Sequence, residues 1–189
     1  RGLGDVYKRQ LIMLVHGDGD GFGSRKTKAR TVTEFRILSY TYFELMKKAL
    51  LSATVKSIEN HYDAYEDLIG GGRGQYQKAY LYPVLPVYFG GDDFVIIGKA
   101  EIVLRFLQGF HNGLCKAYNE LKDLIKKVKV NTITVSMGIA IGKTKTPIFM
   151  LYEGSQEILR HVKEVGENVR TSLGVKADFV YFRGRYSRG

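Results

Sequence analysis

The chain has 189 residues, 44% of them hydrophobic and 25% charged, with a formal charge of +10 and an isoelectric point near 9.6. That length and usage exclude a disordered tail and leave room for one ordinary domain with a sizeable core. No apolar run reaches the roughly 18 residues of a membrane helix, and a lone cysteine, Cys115, excludes an internal disulfide or a cysteine zinc site.

Residues 1–10, Arg-Gly-Leu-Gly-Asp-Val-Tyr-Lys-Arg-Gln, resemble translated sequencing adapter and are set apart from a domain spanning 11–189. The remaining chain is still strongly basic, which favours a polyanionic partner, nucleic acid or polyphosphate. A cytoplasmic protein without a membrane partner is expected.

In chain order, residues 10–16 read as an apolar strand that runs into the loop Gly17-Asp-Gly-Asp-Gly-Phe-Gly23, whose glycines are expected to permit a tight turn behind Asp18. A basic stretch, Arg25 to Arg30, follows. Phe35, Leu38, Tyr42, Leu45, Ala49 and Ala53 then recur at helical spacing. After a glycine-rich polar segment that includes residues 70–74, Tyr80–Phe89 and Phe94–Ile97 flank Gly90-Gly91 as a hairpin. Pro83 and Pro86 argue for an edge strand.

A second helix is expected from Val103 to Ile125, kinked or split at Gly109 and Gly113, with Cys115 buried in it. From Asn131 to Ile141 large and small residues alternate, the mark of a strand with one face closely covered. Thr146 and Pro147 then start a helix with Ile148, Leu151, Tyr152, Leu159 and Val162 as its buried stripe. A last strand is expected over 177–182. The order is βαββαβ with an αβ extension: an α+β, ferredoxin-like palm, an antiparallel sheet with helices on one face.

That strand order brings Asp18 and Asp20 to the same sheet edge as Asp92 and Asp93. Clustered carboxylates repel unless a cation lies between them, and oxygen donors without histidine or cysteine suit Mg²⁺ or Mn²⁺. Gly90 and Gly91 lack a Cβ, which would let a nucleotide lie on the backbone.

Other patterns fail on spacing. Gly138-Ile-Ala-Ile-Gly-Lys-Thr144 has three residues between its glycines where a phosphate loop needs four, and Asp18–Ala29 lacks the late EF-hand ligands. The four histidines show no ligand spacing. Lys122, Lys126, Lys127 and Lys129 read as a solvated helix face.

Val87-Tyr-Phe-Gly-Gly-Asp-Asp-Phe-Val95 resembles the Gly-Gly-Asp-Asp hairpin of the large palm subunit of type III CRISPR effector complexes, and residues 17–23 resemble its Asp-x-Asp metal strand. Leu38-Ser39, Thr134-Val-Ser-Met-Gly138 and Glu157–Glu164 fall in that family's order, so the likeness covers about residues 11–183. GGDEF diguanylate cyclases share the fold, but Asp93 stands where they carry glutamate. The resemblance implies synthesis of cyclic oligoadenylates from ATP when the complex binds target RNA. It also implies partnership with other type III subunits and with guide and target RNA through the complex.

By position, it implies Asp18, Asp20 and Asp92 as metal ligands and Asp92 and Asp93 as catalytic carboxylates. Gly90, Gly91, Ser39 and Lys163 would contact nucleotide, although His161-Val162 replaces the small residue that the family places before the lysine. A diguanylate cyclase and a non-catalytic nucleotide- or RNA-holding module stay open as alternatives. The family's pocket forms between two palm domains and this chain carries one palm, so weak ATP–Mg²⁺ binding and little turnover are expected of it alone.

Overall fold

The computed structural model describes residues 11–58, 84–127 and 133–173, with side chains through residue 166. The adapter-like residues 1–10, the glycine-rich 70–74, the strand start at 80–83 and the expected strand over 177–182 lie outside them. The elements are β1 (Leu11–Gly19), α1 (Phe22–Lys26), α2 (Val32–Ile58), β2 (Val84–Gly90), β3 (Asp93–Lys99), a 3₁₀ turn (Ala100–Ile102), α3 (Val103–Glu120), α4 (Lys122–Lys127), β4 (Val135–Lys143) and α5 (Ile148–Leu173).

The four strands form one antiparallel sheet in the order β2-β3-β1-β4. This is the α+β palm arrangement that the element order predicts. β2 is an edge strand, as Pro86 requires, and its pairing slips between Pro86 and Tyr88.

Side-chain alternation splits the sheet into two faces. Met13, Val15, Phe94 and Ile96 pack with Tyr42, Leu45, Ala49 and Ala53 of α2 and with Phe106 and Phe110 of α3. Leu14 and Val95 point the other way and pack with Leu151 of α5. Helices on one face therefore describes α2 and α3, whereas the extension helix α5 covers the opposite face. The reason is the small side of β4. Ser136 and Gly138 leave room for close approach, and a Cβ on Gly138 would lie 2.6 Å from the backbone nitrogen of Leu159.

The buried stripe of α5 is Leu151, Ser155, Leu159 and Val162; Ile148 and Tyr152, expected in it, are 48% and 38% exposed. Ser155 is polar and so escapes a hydrophobic pattern, but it is fully buried at the contact with Gly138.

α2 begins with a capping arrangement in which the Glu34 N–H donates to Thr31 Oγ1 and the Arg30 N–H donates to Glu34 Oε2. α3 runs unbroken through Gly109 and Gly113. These glycines do not kink it; they admit α2, because a Cβ on them would lie 2.8 Å from Ala53 Cα and 3.0 Å from Ala49 Cα respectively. The break comes at Leu121, before α4. Cys115, expected to be buried, is exposed, with its sulfur 3.7 Å from His111 Nε2.

Candidate functional site at the β1–hairpin edge

β1 does not stop at residue 16. It continues to Gly19, so Asp18 is a strand residue held on both sides, opposite Asp93 of β3 and Ser136 of β4. Gly17 and Gly19 are packing positions rather than turn positions. A Cβ on Gly17 would strike the Phe94 ring, and one on Gly19 would lie 3.0 Å from Tyr42 Cε1 and 3.2 Å from Asp92 Cβ. Only Gly21, with φ 73°, supplies the left-handed turn that leads into α1.

The hairpin turn is Gly91-Asp92, closed by the Gly90–Asp93 pair. Gly91 has φ 83° at the first turn position, where the tight primed hairpin requires glycine. The two hairpin glycines differ. A Cβ on Gly91 would meet nothing within 4 Å, whereas one on Gly90 would collide with the Tyr88 phenol and lie 3.0 Å from Asp93 Oδ1. Gly91 thus leaves backbone open, and Gly90 makes room for Tyr88.

The four carboxylates are placed differently. Directly paired residues of neighbouring strands share a face, so Asp18 and Asp93 stand together on the α5 side. Lys163 of α5 reaches the same place and pairs with Asp18 Oδ2. The Tyr88 hydroxyl donates to Asp93, whose charge, with some burial, holds that phenol above its ordinary range.

Asp92 sits at the turn, its carbonyl accepting the Gly19 N–H at 2.8 Å and its Cβ on the Tyr42 side of Gly19. Burial pushes its carboxyl up; the backbone hydrogen bond opposes this and the Asp93 charge adds to it.

Asp20 is turned onto β4. Thr134 Oγ1 and Ser136 Oγ each donate to it at 2.7 Å, one on each oxygen, and its backbone N–H donates to Thr134 O at 2.8 Å. Its carbonyl accepts from Arg25 Nη1 and the Tyr42 hydroxyl at 3.3 Å, and Arg25 also donates to that hydroxyl. Asp20 therefore ties the end of β1 to β4. Asp20→Ala removes the acceptor of two hydroxyls, one on the buried Ser136, and is expected to cost about 1–3 kcal/mol in urea unfolding.

Ser39 is half-buried on α2, one turn before Tyr42 and therefore on the helix side that approaches Gly19. Phe43 of the same helix lies against Phe89 of β2 with ring centroids 5.0 Å apart. On the opposite face, a cleft of about 650 Å³ is lined by His16, Glu153, Glu157, Arg160 and Lys163 among others. Burial lowers the Lys163 pKa. It also lowers that of His16, against the Asp93 charge and with the help of Lys163.

No local sequence pattern singles out His16 or Tyr88. His16 stacks on Tyr152 at 5.5 Å with Nδ1 unpartnered, and only alternation with Asp18 could have placed it there. Tyr88 stands two residues before Gly90, and its role depends on the bulge in β2.

Among the described residues, no three carboxylate, imidazole or thiol groups converge on a ready-made cation site. The donor set nonetheless fits Mg²⁺ or Mn²⁺ of the kind that takes one or two carboxylates and completes its shell with phosphate and water. Two hard carboxylates share a face, and a side-chain cation already lies on one of them.

The family model for Cas10/Cmr2, second palm domain, matches residues 12–171. This chain belongs to that family. No curated protein sequence matches it. Among solved structures, Csm1 of T. onnurineus is 20% identical with a TM-score of 0.54, over 84% of this chain and 20% of that one. A Csm1–Csm4 cassette in complex with one ATP is 18% identical with a TM-score of 0.54, over 82% and 19%. The cassette in complex with cA4 is 19% identical with a TM-score of 0.55, over 84% and 20%.

These likenesses are of fold. The chain spans about a fifth of the length of the solved chains it matches. Among the described residues of the palm, no helix is long and apolar enough to cross a membrane.

Proposed function

We propose that this palm is the nucleotidyl-cyclase domain of a type III CRISPR effector large subunit, joining ATP into cyclic oligoadenylates when the complex binds target RNA. The observation that carries the reading is the pairing of Asp18 with Asp93 across β1 and β3, with Lys163 of α5 on the same spot. The ATP and cA4 complexes of Csm1–Csm4 cassettes, which share the fold, support it.

In this reading Asp18 and Asp93 hold Mg²⁺ or Mn²⁺ from one face, Asp92 adds its charge from the turn, and Asp20 supports them by fixing the strand end. A divalent cation held by these carboxylates would supply Lewis acidity to a ribose hydroxyl and positive charge to the departing pyrophosphate. The protein supplies position and charge. Gly91 leaves the hairpin backbone bare for the nucleotide, Gly90 admits the tyrosine that orients Asp93, Ser39 faces the base from α2, and Lys163 meets the triphosphate. A second palm completes the pocket, and the other type III subunits bring guide and target RNA.

Calorimetric titration of ATP and GTP in Mg²⁺ tests the assignment. ATP is expected to bind, weakly, and the double variant Asp92→Ala/Asp93→Ala is expected to lose that binding. Preference for GTP would move the assignment to diguanylate cyclases, and binding of neither would leave a nucleotide-independent assembly module.

A further inference from the structure

We propose that Lys163 is the resident counter-ion of Asp18 in the metal-free protein, so that a divalent cation gains this carboxylate only by displacing the lysine. The inference rests on the proposed role of Asp18 as a metal-holding residue and extends it to the order in which the site is loaded.

The geometry supplies the reasons. Asp18 and Asp93 are directly opposed on one sheet face, and two carboxylates so placed require positive charge between or beside them. The only side-chain cation paired there among the described residues is the Lys163 ammonium, on Asp18 Oδ2. Its backbone is anchored, because α5 is pressed onto Gly138 through Ser155 and Leu159. Its head is not: the Lys163 side chain keeps 38% of its exposure and that of Asp18 keeps 24%.

A four-carbon stem on a fixed helix can swing its ammonium away without moving the fold. The cleft beside it, lined by His16, Glu157 and Arg160, offers space for that swing. A polyphosphate gives the ammonium another partner, so nucleotide binding frees Asp18 for the metal, and the metal frees Lys163 for the nucleotide. Such coupling is reciprocal. It weakens loading of the carboxylates by metal alone.

The test contains no nucleotide. Free Mn²⁺ is followed by its electron paramagnetic resonance signal while it is titrated with the full chain, as wild type, Lys163→Met, Lys163→Arg and Asp18→Asn. Lys163→Met is expected to bind Mn²⁺ about fivefold tighter than wild type, the yield of releasing one partly exposed ion pair. Lys163→Arg should stay at the wild-type level, and the gain from Lys163→Met should vanish in the Asp18→Asn background.

Unchanged or weaker Mn²⁺ binding in Lys163→Met would overturn the proposal, as would a gain that survives Asp18→Asn or the absence of binding in every variant. Lys163→Gln, with circular dichroism on each protein, guards against a folding artefact of the methionine. Failure of the ATP titration with this Mn²⁺ pattern intact would instead sink the nucleotide assignment and leave the counter-ion role standing.

Discussion

Gly138→Ala is expected to destabilise the domain by about 3 kcal/mol or more, although it adds one methyl group to a strand where alanine is an ordinary residue. The methyl would enter the backbone of α5 near Leu159 N at 2.6 Å, and the carbonyl of Ser155 lies closer still. No rotamer change relieves a clash with backbone, so α5 must lift from β4. Leu151, Leu159 and Val162 would then lose part of their burial, and Lys163 would be drawn from Asp18.

Gly154→Ala is the matched control. Its Cβ would make an ordinary contact of 3.7 Å with Ala140 Cβ inside a helix, so it should stabilise by about 0.5–1 kcal/mol. Urea unfolding of the two variants checks the sign of both effects. Equal stabilities would mean that α5 does not press on β4 as described.

Asp18→Ala is expected to lower oligoadenylate synthesis by at least about 100-fold in the assembled effector, while its unfolding midpoint changes little. Asp18 lies on a central strand, paired on both sides, so its carboxylate is placed by the sheet rather than by a loop. Substrate and cation cannot recover that position by local adjustment. The stability cost is small because the ion pair with Lys163 is partly exposed and loss of one carboxylate relieves the repulsion with Asp93. Initial rates of product formation, set beside melting curves, separate the two effects. A large loss of stability with unchanged synthesis would make Asp18 a structural residue.

Much of this was readable in the residues. The alternation over 131–141 marks a strand with one tightly covered face, and strand order alone brings the Gly-Gly-Asp-Asp hairpin and the aspartates at 18 and 20 to one sheet edge. The structure agrees on the edge. What the sequence hid was parity. Strand faces alternate residue by residue, so whether Asp92 or Asp93 stands opposite Asp18 depends on one step of register, and the bulge at Pro86–Tyr88 adds another.

The turn glycines misled for a similar reason. Glycine marks both left-handed backbone and close packing, and Gly17 and Gly19 serve the second use while Gly21 and Gly91 serve the first. The sequence places helix α5 by its start at Thr146-Pro147 and by its apolar residues. Its closest contact is Ser155 on Gly138, two residues that carry no hydrophobic signal. The Asp20 hydrogen bonds to Thr134 and Ser136 span more than a hundred residues, and no local pattern encodes such a tie.

The most direct measurement is chromatography and mass spectrometry of the products formed from ATP and Mg²⁺ by a type III effector whose large subunit carries this palm, with target RNA present. Cyclic oligoadenylates from the wild type, and none from Asp92→Ala/Asp93→Ala, are the predicted result. Equal product from the double variant, or no adenylate product from a complex that binds its target RNA, would contradict the account.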